Sequence, residues 1–286
     1  MRTARTVAEV RDALSAARRE GARIGLVPTM GALHAGHLSL VREARRSCDA
    51  VVVSLFVNPA QFGPGEDLDA YPRDEARDAE LLGAEGVDLL YAPAPDEVYP
   101  AGFATSVEVG DLTEVMEGDP ARRGPGHFRG VTTVVAKLIN VVGPQVAYFG
   151  QKDAQQAVVI RRMARDLDFP VEIEVLPTVR EPDGLAMSSR NRYLSDEERA
   201  RATGLRRALE RAREAAAGGA SVDAALDAAR EQLASDGIEA EYVEARDAEN
   251  LTPARSFNGR PILIALAARI GPARLIDNVV IGGSET

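Results

Sequence analysis

Two imidazoles stand three residues apart in a glycine-rich segment, Thr29-Met30-Gly31-Ala32-Leu33-His34-Ala35-Gly36-His37. The segment follows a short apolar run ending near Pro28 and precedes a helical pattern over 36–47, so it forms a strand-to-helix turn. A helix start offers unpaired N–H groups and a partial positive charge, both suited to phosphate. Gly31 and Gly36 let the backbone approach a ligand closely, and His34 and His37 fall on one face of the first turn. Imidazoles placed there can donate to phosphate oxygens that gain charge as a phosphoanhydride breaks. No Gly-Lys-Ser/Thr follows, so this is not a Walker loop. A zinc pair is the poorer reading, because the only other histidine is His127.

Five further clusters could act with it. Gly150-Gln151-Lys152-Asp153, with Gln155 and Gln156, opens another helix after a strand, so it emerges on the same sheet edge. Lys152 can meet phosphates as a point charge. Lysine occurs only at 137 and 152 in an arginine-rich chain, which weighs against a solvated surface lysine at 152. Asp153 suits a helix cap equally well. Met187-Ser188-Ser189-Arg190 brings two hydroxyls and a guanidinium that can wrap a triphosphate tail. Gln61, in Asn58-Pro59-Ala60-Gln61-Phe62-Gly63, follows the second strand and can hydrogen-bond a small polar substrate. Among Asp74, Glu75 and Asp78, a carboxylate could help hold Mg²⁺ between phosphates, although each also suits a solvated helix face. Gly124-Pro125-Gly126-His127-Phe128-Arg129 reads either as a mobile loop near an anion or as a capped helix entrance.

The elements that must position these residues alternate. Strands are expected over 23–28, 50–57, 87–91, 145–149 and 171–176, and helices over 6–20, 36–47, 74–85, 131–141 and 154–166. That order implies an α/β, doubly wound, parallel Rossmann-like sheet with ligands at its carboxyl edge. Beyond 177–184 the pattern changes to helices at 195–217 and 223–234, then strands at 239–246, 261–267 and 273–281. We expect residues 1–178 to form the nucleotide-binding domain and 179–286 a smaller α+β domain.

Composition narrows the partners. A net charge of −10 argues against a nucleic-acid backbone as partner. The lone Cys48 excludes an intramolecular disulfide framework and fits a reducing, cytoplasmic compartment. No apolar run is long enough to span a bilayer, so no membrane partner is expected. The motifs by themselves support adenylyl transfer to an unnamed acceptor. An adenylyl transferase acting on a nucleotide or tRNA, or a non-catalytic nucleotide sensor, remain open readings.

Taken jointly, the motifs at 28–37, 58–62, 71–73, 126–131, 150–156, 180–192 and Leu275-Ile276-Asp277-Asn278 resemble the pantoate–β-alanine ligase family of the His-x-Gly-His nucleotidyl-transferase group. The resemblance covers essentially the whole chain. It implies that ATP and pantoate give pantoyl adenylate and pyrophosphate, and that the amine of β-alanine then yields pantothenate and AMP. It implies ATP contacts from Met30, Gly31, Ala32, Leu33, His34, Ala35, Gly36 and His37, with His37 as proton donor. Gly150, Gln151, Lys152, Asp153, Val179, Met187, Ser188, Ser189 and Arg190 would complete that set, with His34 and Lys152 also catalytic. Gln61 and Gln156 would hold pantoate, Gln61 also meeting β-alanine. Asp78 would contact Mg²⁺, and the protein would be a homodimer. Three departures from the family pattern stand out: Arg123-Gly124-Pro125 where the family reads Arg-Pro, Ala60 in place of methionine, and Ala154 where an aromatic residue is common.

Overall fold

Four near-continuous apolar runs, over 23–28, 50–57, 87–91 and 145–149, cannot each expose a polar face, so they must be covered on both sides. A computed structural model describes residues 1–282 and shows this arrangement. In chain order the elements are β1 (Arg2–Ala4), α1 (Val7–Ala13), α2 (Ser15–Arg19), β2 (Ile24–Thr29), α3 (Ala35–Ser47), β3 (Ala50–Leu55), α4 (Glu75–Ala84), β4 (Leu89–Tyr91) and α5 (Pro95–Val98). There follow α6 (Pro125–Val142), β5 (Val146–Gly150), α7 (Ala154–Asp166), β6 (Glu172–Leu176), α8 (Asp196–Ala202), α9 (Gly204–Ala217), α10 (Val222–Ser235), β7 (Ala240–Asp247), β8 (Ile262–Ile270) and β9 (Ala273–Ile281). The chain divides into two compact units. One comprises Met1–Gly150 and Val159–Pro177; the other comprises Gln151–Val158 and the chain from Thr178 onward.

In the first unit the strands are all parallel, in the order β1-β4-β3-β2-β5-β6. Strand alternation sorts the core into two layers. Ile24, Leu26, Val52, Leu89, Ala147 and Phe149 face the layer containing α1 and α6. Val27, Val51, Val53, Leu90, Val146 and Tyr148 face α3 and Leu82 of α4. Each fully buried Val, Leu, Ile or Phe contributes about 1.5–3 kcal/mol, so both layers are needed to hold the sheet. The chain winds one way from β2 to β3 and the other way to β5. The carboxyl ends of β2 and β5 therefore lie side by side at a topological switch point.

The second unit carries an antiparallel sheet, β7-β8-β9, with α9 and α10 packed through Leu205, Leu209, Leu226 and Leu233 against Ile264 and Leu266.

Several elements differ from expectation. The first helix breaks at Leu14 into α1 and α2, and the helix after Ser195 breaks at Thr203 into α8 and α9. The apolar helix begins at Pro125 rather than 131, because Gly124 at φ 78° turns the chain and Pro125 opens the first turn. That extension puts Gly130 inside α6, flat against the 3-10 turn Pro59–Gln61. A Cβ at Gly130 would fall on the Ala60 carbonyl oxygen and 2.6 Å from the Gln61 nitrogen.

Gly130→Ala is therefore expected to lower stability by about 1–3 kcal/mol through overpacking. Gly126→Ala, on the same helix with only the end of Arg129 nearby, should be neutral or stabilising by up to ~1 kcal/mol. Urea midpoints of the two variants check this, and equal midpoints would contradict it.

Candidate active site

In the first unit the site starts where β2 ends. Thr29 donates its hydroxyl to the Ser54 carbonyl at 2.8 Å, and its Oγ1 accepts from the Gly31 N–H at 3.3 Å. Gly31 and Ala32 then both take positive φ, 86° and 52°. For Ala32 this is a left-handed conformation, unfavourable by roughly 1–2 kcal/mol for an L-residue. It is held in place by Asp78 on α4. The Asp78 carboxylate accepts from the Ala32 N–H at 2.8 Å and from the Leu33 N–H at 2.8 Å, one oxygen each. Asp78 is 1% exposed.

The loop then enters α3 with His34 as its N-cap, and Nδ1 of His34 accepts from the Gly36 N–H at 3.2 Å. Because Nδ1 accepts, the neutral ring carries its proton on Nε2. The His34 and His37 rings stack with centroids 4.1 Å apart and planes tilted by 31°. Two imidazole donors thus sit together at the start of a thirteen-residue helix, beside its first-turn amides.

Met30 and Gln61 meet next to this loop. Gln61 donates from Nε2 to the Met30 sulfur at 3.0 Å and accepts at Oε1 from Asn58 Nδ2 at 3.0 Å. Asn58, 1% exposed, also donates to the Gly130 carbonyl at 3.1 Å and accepts from the Tyr99 hydroxyl at 2.8 Å. Burial pushes the Tyr99 phenol up to about 12, so it stays a donor at any ordinary pH. Asn58 and Tyr99 had no role in the sequence reading. Asn58 lay inside a recognised motif; Tyr99, distant in sequence, carried no local signal.

His127 proves to lie in the first turn of α6, reaching the Gln61 backbone. Its Nδ1 is 2.8 Å from the Gln61 carbonyl, and its Nε2 is 3.2 Å from the Arg123 guanidinium. An N–H on Nδ1 and an acceptor on Nε2 satisfy both contacts, which requires a neutral ring. Burial first, then the Arg123 charge, pushes its pKa down to about 4. Arg123 is itself clamped by Glu66 in two hydrogen bonds of 2.7 Å. Burial pushes the Glu66 carboxyl up, but its bonds to Arg123 outweigh that and hold it below the ordinary range. The extra glycine after Arg123 thus accompanies an arginine engaged by a carboxylate.

In the second unit, Lys152 lies in the 3-10 turn Gln151–Asp153 with its Nζ 3.8 Å from Asp153. Gln156 follows on the first turn of α7 and is partly buried. Val179 and Met187 are brought together: the Met187 N–H donates to the Val179 carbonyl at 3.0 Å, closing a tight hairpin with Arg180 bridged to Ala186. Ser188 caps the turn Ser189–Tyr193, its Oγ accepting from the Arg190 N–H at 3.3 Å. The hairpin is pinned by Asp277 of β9, which accepts from Arg180 in two bonds of 2.7 and 3.0 Å. It is also pinned by Asn191, which donates to Glu181 and to the Ala186 carbonyl.

The metal expectation fares differently. Both Asp78 oxygens accept from backbone amides, and the side chain is buried. Asp78 fits a loop-holding role and does not fit a direct Mg²⁺ ligand.

Two outcomes follow. Asp78→Ala leaves two buried amides unpaired, each worth about 1–3 kcal/mol, and should lower the urea midpoint more than Asp78→Asn, which keeps one acceptor. For His127, the unfolded chain binds a proton below pH ~6.5 while the folded chain resists it down to about 4. Its contribution to stability is complete above pH ~6.5, is lost as pH falls through that window at up to ~1.4 kcal/mol per unit, and levels off below it. His127→Asn should flatten this part of the stability–pH curve; an unchanged slope would show that the ring is already charged.

Comparison with known proteins identifies the family. The model of the family described as pantoate-beta-alanine ligase matches residues 2–280. A pantothenate synthetase of Moorella thermoacetica is 54% identical, covering 98% of this chain and 99% of its own length. The crystal structure of pantothenate synthetase from Thermus thermophilus superposes with TM-score 0.91 at 54% identity, covering 98% and 99% of the two chains. The ligase of Francisella tularensis, solved with beta-gamma ATP and beta-alanine, superposes with TM-score 0.81 at 32% identity, covering 98% and 97%. The chain belongs to the pantoate-beta-alanine ligase family, the AMP-forming ligases of pantothenate biosynthesis.

Proposed function

We propose that the chain joins pantoate to β-alanine through a pantoyl adenylate, using the stacked His34–His37 pair at the start of α3 as donors to the departing pyrophosphate. That pair, on a loop whose left-handed turn is fixed by Asp78, is the observation that carries the reading. In the first step a pantoate carboxylate oxygen bonds to the α-phosphorus and the bond to the β-phosphate bridging oxygen breaks. In the second, the amine nitrogen of β-alanine bonds to the acyl carbon, AMP leaves with the carboxyl-derived oxygen, and the nitrogen releases its protons to solvent. No covalent enzyme intermediate is needed, so catalysis rests on alignment and on donors aimed at developing charge.

ATP is assigned to Met30 through His37 and Gly150 in the first unit, and to Gln151, Lys152, Asp153, Val179 and Met187 through Arg190 in the second. Gln61 and Gln156 are assigned to pantoate, with Gln61 also meeting β-alanine. The Gln61 carboxamide, oriented by Asn58 and Met30, is preset for a small polar acid. The Francisella structure, holding an ATP analogue and β-alanine, supports both ligands. Mg²⁺ is read as travelling with the triphosphate, with its protein contacts other than Asp78. A homodimer acting in the cytoplasm completes the reading by family resemblance.

Pyrophosphate release from ATP should require pantoate, and pantothenate with AMP should appear only when β-alanine is added. His37→Ala should lower turnover by about 10²–10³-fold while ATP binding persists. Coupled pyrophosphate and AMP assays decide it: release without pantoate, or full turnover in His37→Ala, would defeat the proposal.

A further inference from the structure

Beyond the Asp277 bonds to Arg180, the Leu275-Ile276-Asp277-Asn278 motif has no part in the residue roles given so far, yet it places two consecutive polar side chains in a strand of the second unit's core. Asp277 is 2% exposed and Asn278 5%. Buried polar groups in an apolar sheet are unfavourable unless they are hydrogen-bonded, so the partners of each reveal its purpose. Those of Asp277 are Arg180 and the Asn278 N–H.

The partners of Asn278 are more specific. Its Nδ2 donates to the carbonyl of Gln151 at 3.0 Å and to the carbonyl of Lys152 at 3.0 Å. Its Oδ1 accepts from Gln151 Nε2 at 3.1 Å. A carboxamide has two donor hydrogens, and both are committed to successive carbonyls of one turn. Fixing two successive carbonyls fixes the peptide planes on either side of the Lys152 Cα, and with them the direction in which the Lys152 side chain leaves the backbone. The turn is only three residues of 3-10 helix, so it has little regular hydrogen bonding of its own to set that direction.

We infer that Asn278 is a positioning residue for adenylation, acting through Lys152. The inference rests on the assignment of Lys152 to the ATP phosphates. A lysine ammonium on a flexible stem gains precision from a fixed backbone origin, and a misplacement of about 1 Å lowers rates by on the order of 10²-fold. Asn278 touches no reacting atom; its effect is read only through the lysine.

A double-mutant cycle on the full chain tests this, with pantoate-dependent pyrophosphate release as readout. Asn278→Ala should slow release about ten- to a hundredfold with the pantoate KM little changed. If that variant does not fold, Asn278→Leu, of nearly equal volume and without donors, carries the test. In a Lys152→Ala background the same change at 278 should lower the rate further by less than about twofold. A loss that multiplies in full on top of Lys152→Ala overturns the inference, because Asn278 then serves only general integrity. A wild-type rate for Asn278→Ala in an enzyme that Lys152→Ala inactivates overturns it as well, leaving Lys152 in place. A wild-type rate for Lys152→Ala defeats the lysine assignment itself, and the inference with it.

Discussion

One carboxylate accepting two adjacent amides organises the first unit's site. The Ala32 backbone would not stay left-handed unaided, and without that turn the chain would leave β2 along a different path into α3. The buried Asp78 carboxylate offsets the strain with two hydrogen bonds from the turn's own amides. Everything downstream inherits this geometry: the His34 cap, the stacking of the two rings and the direction of the first-turn amides. The side chain sits on α4, so the loop is referenced to the sheet's own scaffold.

The same logic governs the remaining parts. Asn58 fixes the Gln61 carboxamide, His127 fixes the Gln61 carbonyl, and Asp277 and Asn278 fix the hairpin and turn of the second unit. Many of the groups that hold the site are neutral amides, hydroxyls and imidazoles, and the carboxylates among them are committed to amides or guanidinium groups. A chain of net charge −10 can therefore accept a polyanion without a broad basic face. Donors already oriented need no rearrangement when charge develops, which is how such sites lower a barrier.

What the sequence revealed follows from the range of the interactions involved. The His34–His37 segment, the strand runs and the helical runs beginning near Thr6 and Ser195 are local patterns of period and spacing, and each appears in the structure. Asp78 was singled out for its chemistry, but its use was hidden because its partners lie about 45 positions away. Asn278 was visible only as part of a motif, since nothing nearby in sequence needs a carboxamide. β1 has three residues and no periodicity to detect. The start of α6 was missed because Gly124 and Pro125 read equally as loop or as helix entrance, and packing on the turn at Pro59–Gln61 decides between them.

The discontinuous second unit has a consequence for how the protein comes together. Its segment Gln151–Val158 is separated from the rest by residues that belong to the parallel sheet. The Asn278 bond to the Lys152 carbonyl closes a span of 126 residues. Excising the second unit at Thr178 would give a fragment in which β9 is present but has no turn to hold.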